Sequence, residues 1–269
     1  MLRTVLVIIG LLAFFYALLW VFQERLIYFP RRYAFAPDQL PAPLVAVRYS
    51  TEAGVQTAFY VPPPSGRRVR LWLVFGGNAM TALDWLWWVA EHPDRDAAFL
   101  LVDYPGYGFS AGRPSRQSIA EASDAAFAAL AALLQVPPEQ LARETSLLGH
   151  SLGAAVALEF ATRHRPKALV LTAPFTRLAD VAARFYGPWI RPMVRERYDN
   201  LARLAELAAE RPPIVILHGR DDEVIAFDFG RQLAASAPWA RFVPLDRVRH
   251  NDVYDLAARE VREAMRIAD

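Results

Sequence analysis

The segment Gly149-His150-Ser151-Leu152-Gly153 sets a serine between glycines. It follows a short apolar run, Thr145–Leu148, and opens a small-residue run of helical character, Leu152–Arg163. A G-x-S-x-G at such a strand-to-helix junction holds the serine on a sharp turn with its Oγ projecting. The flanking glycines let neighbouring chain pass close by. The helix N-terminus beneath favours negative charge. The bland alternative is a Gly-rich packing turn with an idle serine.

A serine hydroxyl is a poor nucleophile and needs a base. Of His92, His150, His164, His218 and His250, only the last two lie well beyond Ser151. His218 ends the apolar run Ile214–Leu217, ahead of every suitable acid, and reads as a structural histidine at a strand exit. His250 follows the last strand-like run and is the candidate base. An acid is also needed, to orient the imidazole and stabilise the imidazolium. Asp221, Asp222 and Glu223 stand in a row after His218, and spacing does not separate Asp221 from Asp222. An oxyanion needs two N–H donors. Leu152, next after the serine, supplies one. The loop Gly76-Gly77-Asn78-Ala79 supplies the other, with Asn78 the candidate and Ala79 the alternative.

Other chemistries find little support. Asp103–Ser110 (DYPGYGFS) is Gly-rich but lacks the Lys and helix start of a phosphate-cradling loop, so it reads as a structural turn. No His, Asp and Glu spacing suits a metal, and no cofactor is implied. Cysteine is absent, which excludes disulfides and a thiol nucleophile. The charge balance is +2 with no basic tract interleaved with aromatics, so nucleic acid is not an expected partner. No obligate protein partner is inferred.

These residues need a scaffold. Strand-like runs at Val45–Tyr49, Gln56–Val61, Arg70–Phe75, Ala98–Val102, Thr145–Leu148, Ala168–Thr172, Ile214–Leu217 and Arg241–Leu245 alternate with helical patterns at Ser118–Leu134, Leu152–Arg163 and Asp252–Ile267. Alternation of this kind predicts an α/β fold, with a mostly parallel sheet and helices on both faces. Residues 174–211 interrupt it with aromatics and arginines. They read either as a lid or as a helical excursion with a solvated basic face. Trp85, Trp87 and Trp88 either border an acyl pocket or are ordinary core and surface aromatics.

Val5–Phe22 carries no charge over 18 residues. As a helix it spans roughly 27 Å at 1.5 Å per residue, close to the ~30 Å of a bilayer's hydrocarbon core. A transmembrane anchor over residues 1–29, with the globular domain at 30–269, is the expectation. A cleaved signal peptide is the rival, but no small-x-small site follows the run. Arg3 flanks one side and Arg25, Arg31 and Arg32 the other, which leaves the side of the membrane unassigned.

Six stretches resemble the serine α/β-hydrolase superfamily over roughly residues 40–269, and within it the membrane-anchored acyl-hydrolase branch with palmitoyl-protein thioesterase-like and lysophospholipase-like members. They are QERLIYFP (Gln23–Pro30), GGNAM (Gly76–Met80), DYPGYGFS, GHSLG, HGRDDEVI (His218–Ile225) and RHND (Arg249–Asp252). The resemblance implies the α/β-hydrolase fold, Asp222 as the acid, and cleavage of carboxylic esters or thioesters of acyl-chain substrates through an acyl-enzyme on Ser151. An amidase or peptidase of the same fold, or a catalytically silent membrane-anchored binding protein, are the other readings. One departure stands out: Gly76 occupies the place of the family's usual His in the oxyanion loop.

Overall fold

A computed structural model describes residues 2–41 and 43–267. Among them, eight strands form one sheet: β1 (Val45–Thr51), β2 (Gly54–Val61), β3 (Arg70–Phe75), β4 (Ala97–Val102), β5 (Thr145–His150), β6 (Ala168–Thr172), β7 (Ile214–Gly219) and β8 (Arg241–Leu245). Helices α1 (Leu2–Phe22), α2 (Glu24–Ile27), α3 (Leu86–Ala90), α4 (Arg116–Leu134), α5 (Pro138–Glu144) and α6 (Leu152–His164) precede β6. Then come α7 (Leu178–Tyr186), α8 (Asn200–Leu207), α9 (Phe227–Ser236), α10 (Val253–Leu256) and α11 (Ala258–Ile267).

The order across the sheet is β1-β2-β4-β3-β5-β6-β7-β8. β2 is antiparallel to both its neighbours, and from β4 onward every pair is parallel. The chain runs β3 to β4 in one direction and then crosses back to β5. The order therefore reverses at β3, and ligands of open parallel sheets bind above such a switch. The loops after β3 and β5, which carry Asn78 and Ser151, both emerge there.

Alternation along β3 divides the core. Leu71, Leu73 and Phe75 face α4 and α6, while Trp72 and Val74 face Trp85, Trp88 and the C-terminal helices. The central strands are buried on both faces, which is why they read as continuous apolar runs. Trp85 and Trp88 are fully buried and Trp87 is exposed, so this trio is core and surface packing. α4 begins at a capping box: Ser115 Oγ accepts from the Ser118 amide at 3.1 Å, and Ser118 Oγ from the Ser115 amide at 2.9 Å.

The structure departs from the sequence reading in several places. α3, α5 and α9 were not anticipated. The single closing helix is two, because Ala257 (φ −120°, ψ 26°) leaves the helical region. That break lets Tyr254 reach Thr172 Oγ1 at 2.8 Å while Val261 and Met265 pack in the core. Of the 174–211 excursion, Val194, Tyr198, Leu204 and Leu207 are buried, so α8 is a core helix. The exposed apolar side chains cluster at Phe185, Tyr186 and Trp189.

At the N-terminus α1 is helical from Leu2 to Phe22. The membrane helix is not shown: among the described residues no single helix is long and apolar enough to cross a membrane. Several side chains of the Val5–Phe22 run, Val5, Ile8, Ile9, Leu12, Ala13 and Leu19, lie outside the described ones. The chain after α1 packs on the domain. Tyr28 is buried with Tyr104, Tyr107 and Tyr198. Phe29 N–H donates to Asn78 O at 3.1 Å, and Asn78 Nδ2 donates to Ile27 O at 3.0 Å.

Candidate active site

The turn after β5 places Ser151 at φ 55°, ψ −115°. A non-glycine residue pays strain for such a conformation, and it persists only where the surroundings fix it. They do so here. Ser151 N–H donates to Thr172 O at 2.9 Å. A Cβ on Gly149 would lie 2.4 Å from Gly153 O, and one on Gly153 would lie 2.1 Å from Phe75 O. Both glycines are thus needed for α6 to start hard against β5 and β3.

Ser151, His250 and Asp222 meet although 99 and 28 residues separate the successive partners. His250 Nε2 is 3.1 Å from Ser151 Oγ, and His250 Nδ1 is 2.7 Å from Asp222 Oδ2. All three are buried. The carboxylate can only accept, so Nδ1 carries the proton and Nε2 is left to accept from the serine. Asp222 Oδ1 accepts from the Val224 and Ile225 amides at 3.0 and 2.7 Å. Burial pushes the Asp222 carboxyl up. The hydrogen bonds from His218, His250 and the Ile225 amide outweigh it and hold the group below the usual carboxylate range. Asp221 is exposed one residue away and has no such contact.

Two side chains set aside by the sequence reading have places here. His218 Nε2 lies 2.8 Å from Ile225 O and 3.3 Å from Asp222 Oδ2, so it steadies the acid and its turn. A Cβ on Gly230 would come 2.2 Å from His218 Nδ1, so α9 packs directly on that ring. Glu223 Oε2 accepts from the His250 amide at 3.3 Å and Oε1 pairs with Arg249 at 3.1 Å, which pins the loop bearing His250. Both lie in HGRDDEVI: His218 meets partners four and seven residues on, inside that stretch, whereas the contacts of Glu223 are made 26 and 27 residues away, where spacing names no partner.

His150 lies beside the base, with ring centroids 5.1 Å apart, and bonds Thr172 Oγ1 at 3.0 Å. Burial, reinforced by His250, pushes its pKa down to about 3. It stays neutral and adds no positive charge beside the His250 ring.

The loop after β3 abuts the elbow: a Cβ on Gly77 would sit 3.6 Å from Ser151 Cβ. Asn78 is the next residue. Its side chain and carbonyl are occupied by Ile27, Phe29 and Tyr107. Leu152 is the first residue of α6, so its N–H is among those a helix leaves without an internal acceptor. At Gly76, the carbonyl accepts from Tyr104 OH at 2.8 Å. A Cβ there would lie 3.4 Å from Trp85 Nε1, a buried donor without a partner. Among the described residues no group of three His, Asp or Glu side chains could hold a metal ion.

Asp103 supports the same loop from below. Its Oδ1 accepts from the Ala82 amide at 2.8 Å and Tyr33 OH at 3.1 Å. Burial, against those two hydrogen bonds, pushes its pKa up to about 7. A carboxyl raised in the fold contributes stability that is complete below its unfolded value, 3.8, and is lost as pH climbs to about 7. The unfolding free energy of the wild type relative to Asp103→Asn should therefore fall between pH 4 and 7, by up to about 1.4 kcal/mol per pH unit, and its melting temperature with it. Differential scanning calorimetry of both proteins checks this; a pH-independent difference contradicts it.

A protein of Mycobacterium tuberculosis strain H37Rv, itself uncharacterised, is 38% identical over 254 residues, covering 92% of this chain and 87% of that one. The family model described as serine aminopeptidase, S33, matches residues 89–205, which include the elbow. The chain belongs to the serine α/β-hydrolase superfamily. A further superfamily relative, human alpha/beta hydrolase domain-containing protein 17C, is 31% identical over 155 residues. That match covers 56% of this chain and 43% of the human protein, so the chain spans under half of that relative. Among solved structures, the Pyrococcus furiosus esterase Pf2001 superposes with a TM-score of 0.66 at 14% identity, covering 90% of this chain and 96% of that one. At that identity the likeness speaks for the superfamily fold alone.

Proposed function

We propose that the chain is a membrane-anchored serine hydrolase that cleaves carboxylic esters or thioesters of acyl-chain substrates. The 3.1 Å approach of His250 Nε2 to Ser151 Oγ carries this reading. His250 takes the Ser151 proton as Oγ bonds to the acyl carbon. The Asn78 and Leu152 amides hold the oxyanion. Collapse expels the alcohol or thiol, which leaves with the proton from His250. Water, deprotonated by His250, then attacks the acyl-enzyme, releases the acid and restores Ser151. The esterase among the structural neighbours shows that this fold hosts ester cleavage. The description of the matching family model keeps an amide substrate in view.

A panel of p-nitrophenyl esters of rising chain length tests this, alongside a palmitoyl thioester, a lysophospholipid and an amino-acyl p-nitroanilide. Faster turnover of esters and thioesters than of the anilide is expected; the reverse order would transfer the assignment to peptidase chemistry.

The anchor reading rests on the uncharged Val5–Phe22 run and on α1, whose described apolar side chains, among them Leu6, Leu11 and Phe14, stand exposed. A chain starting at Gln23 should become soluble and hydrolyse a short-chain ester at close to the full-length rate. One starting at Arg31 also loses buried Tyr28 and the Ile27 and Phe29 bonds to Asn78. It should be destabilised by about 3 kcal/mol or more and should lose esterase activity. Pelleting, chemical denaturation and ester turnover of the three proteins check both points. Equal partitioning of the full-length chain and the Gln23 start would sink the anchor.

A further inference from the structure

Phe185, Tyr186 and Trp189 are 57%, 60% and 56% exposed, whereas Val181 and Met193 on the same segment are buried. The segment from α7 through the 3-10 turn Pro188–Met193 is thus seated by one face and turns three adjacent aromatics outward. Exposed Arg184 and Arg191 flank them along the chain, Arg191 pairing with Asp180 at 2.9 Å, and exposed Arg197 follows. Aromatic rings among cationic side chains are the composition of a membrane interface, where the ring body is apolar and the flanking charges meet headgroups.

What seats this face is decided by the end of α1. Gln23 Nε2 donates to Trp20 O at 3.1 Å and to Met193 O at 3.3 Å. Gln23 Oε1 accepts from the Arg195 amide at 2.6 Å. Arg195 pairs with Glu24 at 2.9 Å and lies 4.4 Å over the Trp20 ring. The exit of α1 and the end of the 3-10 turn Pro188–Met193 are one bonded unit. Trp189 precedes Met193 by four residues in a 3-10 turn rising ~2.0 Å per residue, so it lies within ~8 Å along the chain of the carbonyl Gln23 holds. Trp20, Val21 and Phe22 are themselves exposed at this junction. The next residues along, Ile27 and Phe29, are tied to Asn78 of the oxyanion loop.

We propose that Trp20, Phe22, Phe185, Tyr186 and Trp189 form a single face seated in the headgroup and acyl boundary of the bilayer that α1 enters. The oxyanion-loop end of the domain is thereby held at the lipid surface, and the substrates it takes are acyl chains drawn from that lipid phase. This rests on the anchor reading above.

The absence of cysteine allows single labels. Full-length Trp189→Cys, Leu11→Cys and Leu133→Cys chains would carry an environment-sensitive fluorophore in phosphatidylcholine–phosphatidylglycerol vesicles, with acyl-chain-brominated lipid as quencher. Leu11 reports the anchor, and Leu133, exposed at the end of α4, is the control. Phe185→Cys replaces Trp189→Cys should the latter fail to hydrolyse a soluble ester. An interfacial side chain sits about 5–10 Å into the boundary, so quenching of the 189 label to about half is expected, with the 11 label also quenched and the 133 label not. Quenching at 11 with none at 189 overturns this proposal and leaves the anchor standing. Quenching at neither removes both. A shift at 189 that follows protein density and ignores the brominated lipid assigns the face to a second copy or another protein, and overturns the proposal too.

Discussion

Ser151→Ala should lower kcat by about 10⁴–10⁶ on any ester the wild type turns over, because members of such a triad act as a unit. For the same reason, adding His250→Ala should cost little more. The fold should survive, since the turn at 151 is held by Ser151 N–H to Thr172 O and by the glycine contacts, none of which uses the hydroxyl. A companion variant separates chemistry from strain. At φ 55° any side chain is strained and glycine is not, so Ser151→Gly should be equally inactive yet more stable than Ser151→Ala by about 1 kcal/mol. Single-turnover kinetics and urea melts measure both. Substantial activity in Ser151→Ala would mean that the elbow serine is idle.

Asp222→Asn should cost about 10⁴ in kcat/KM, the effect expected when an amide imposes the wrong imidazole tautomer. Here the amide has no good orientation. With its NH₂ toward His250 and His218 it opposes Nδ1–H and the proton of His218 Nε2, which faces the Ile225 carbonyl. Turned over, it opposes the Val224 and Ile225 amides. Either way a buried donor is left facing a donor, at about 1–3 kcal/mol of stability. Asp221→Asn touches an exposed side chain and should change stability by no more than about 0.5 kcal/mol, with activity near that of the wild type. Measuring both separates neighbours that sequence spacing left equivalent; a severe Asp221 effect beside a mild Asp222 effect would reverse the assignment.

The sheet was legible because its central strands are buried on both faces and read as unbroken apolar runs bounded by turns, as at Ile214–Leu217. The elbow was legible because the Gly149 and Gly153 requirement is local. What spacing did not decide was set by long-range contact. Asp222 rather than Asp221 follows from which side of the β7 exit meets His250, and that depends on how the final loop returns. His218 was read as a plain strand-end residue because its partner, the acid, is recognised only after the turn has closed. Residues 174–211 read either way because the apolar positions of α8 that pack on α6 look the same in sequence as an exposed amphipathic face. Residues 23–29 are ambiguous for a similar reason: apolar Leu26–Phe29 beside a hydrophobic run suit either lipid or the surface of the domain, and only the folded chain puts Tyr28 in the tyrosine cluster of the core.

If His250 activates Ser151 as a nucleophile, the serine should react with an electrophilic phosphonate far faster than any other hydroxyl of the chain. Incubation of the full-length protein with a fluorophosphonate, followed by peptide mass spectrometry, tests it most directly. One phosphonyl adduct per chain is expected on the peptide containing Gly149–Gly153, localised to Ser151, with labelling lost in Ser151→Ala and strongly slowed in His250→Ala. No adduct, or an adduct that persists at another serine when Ser151 is replaced, would contradict it.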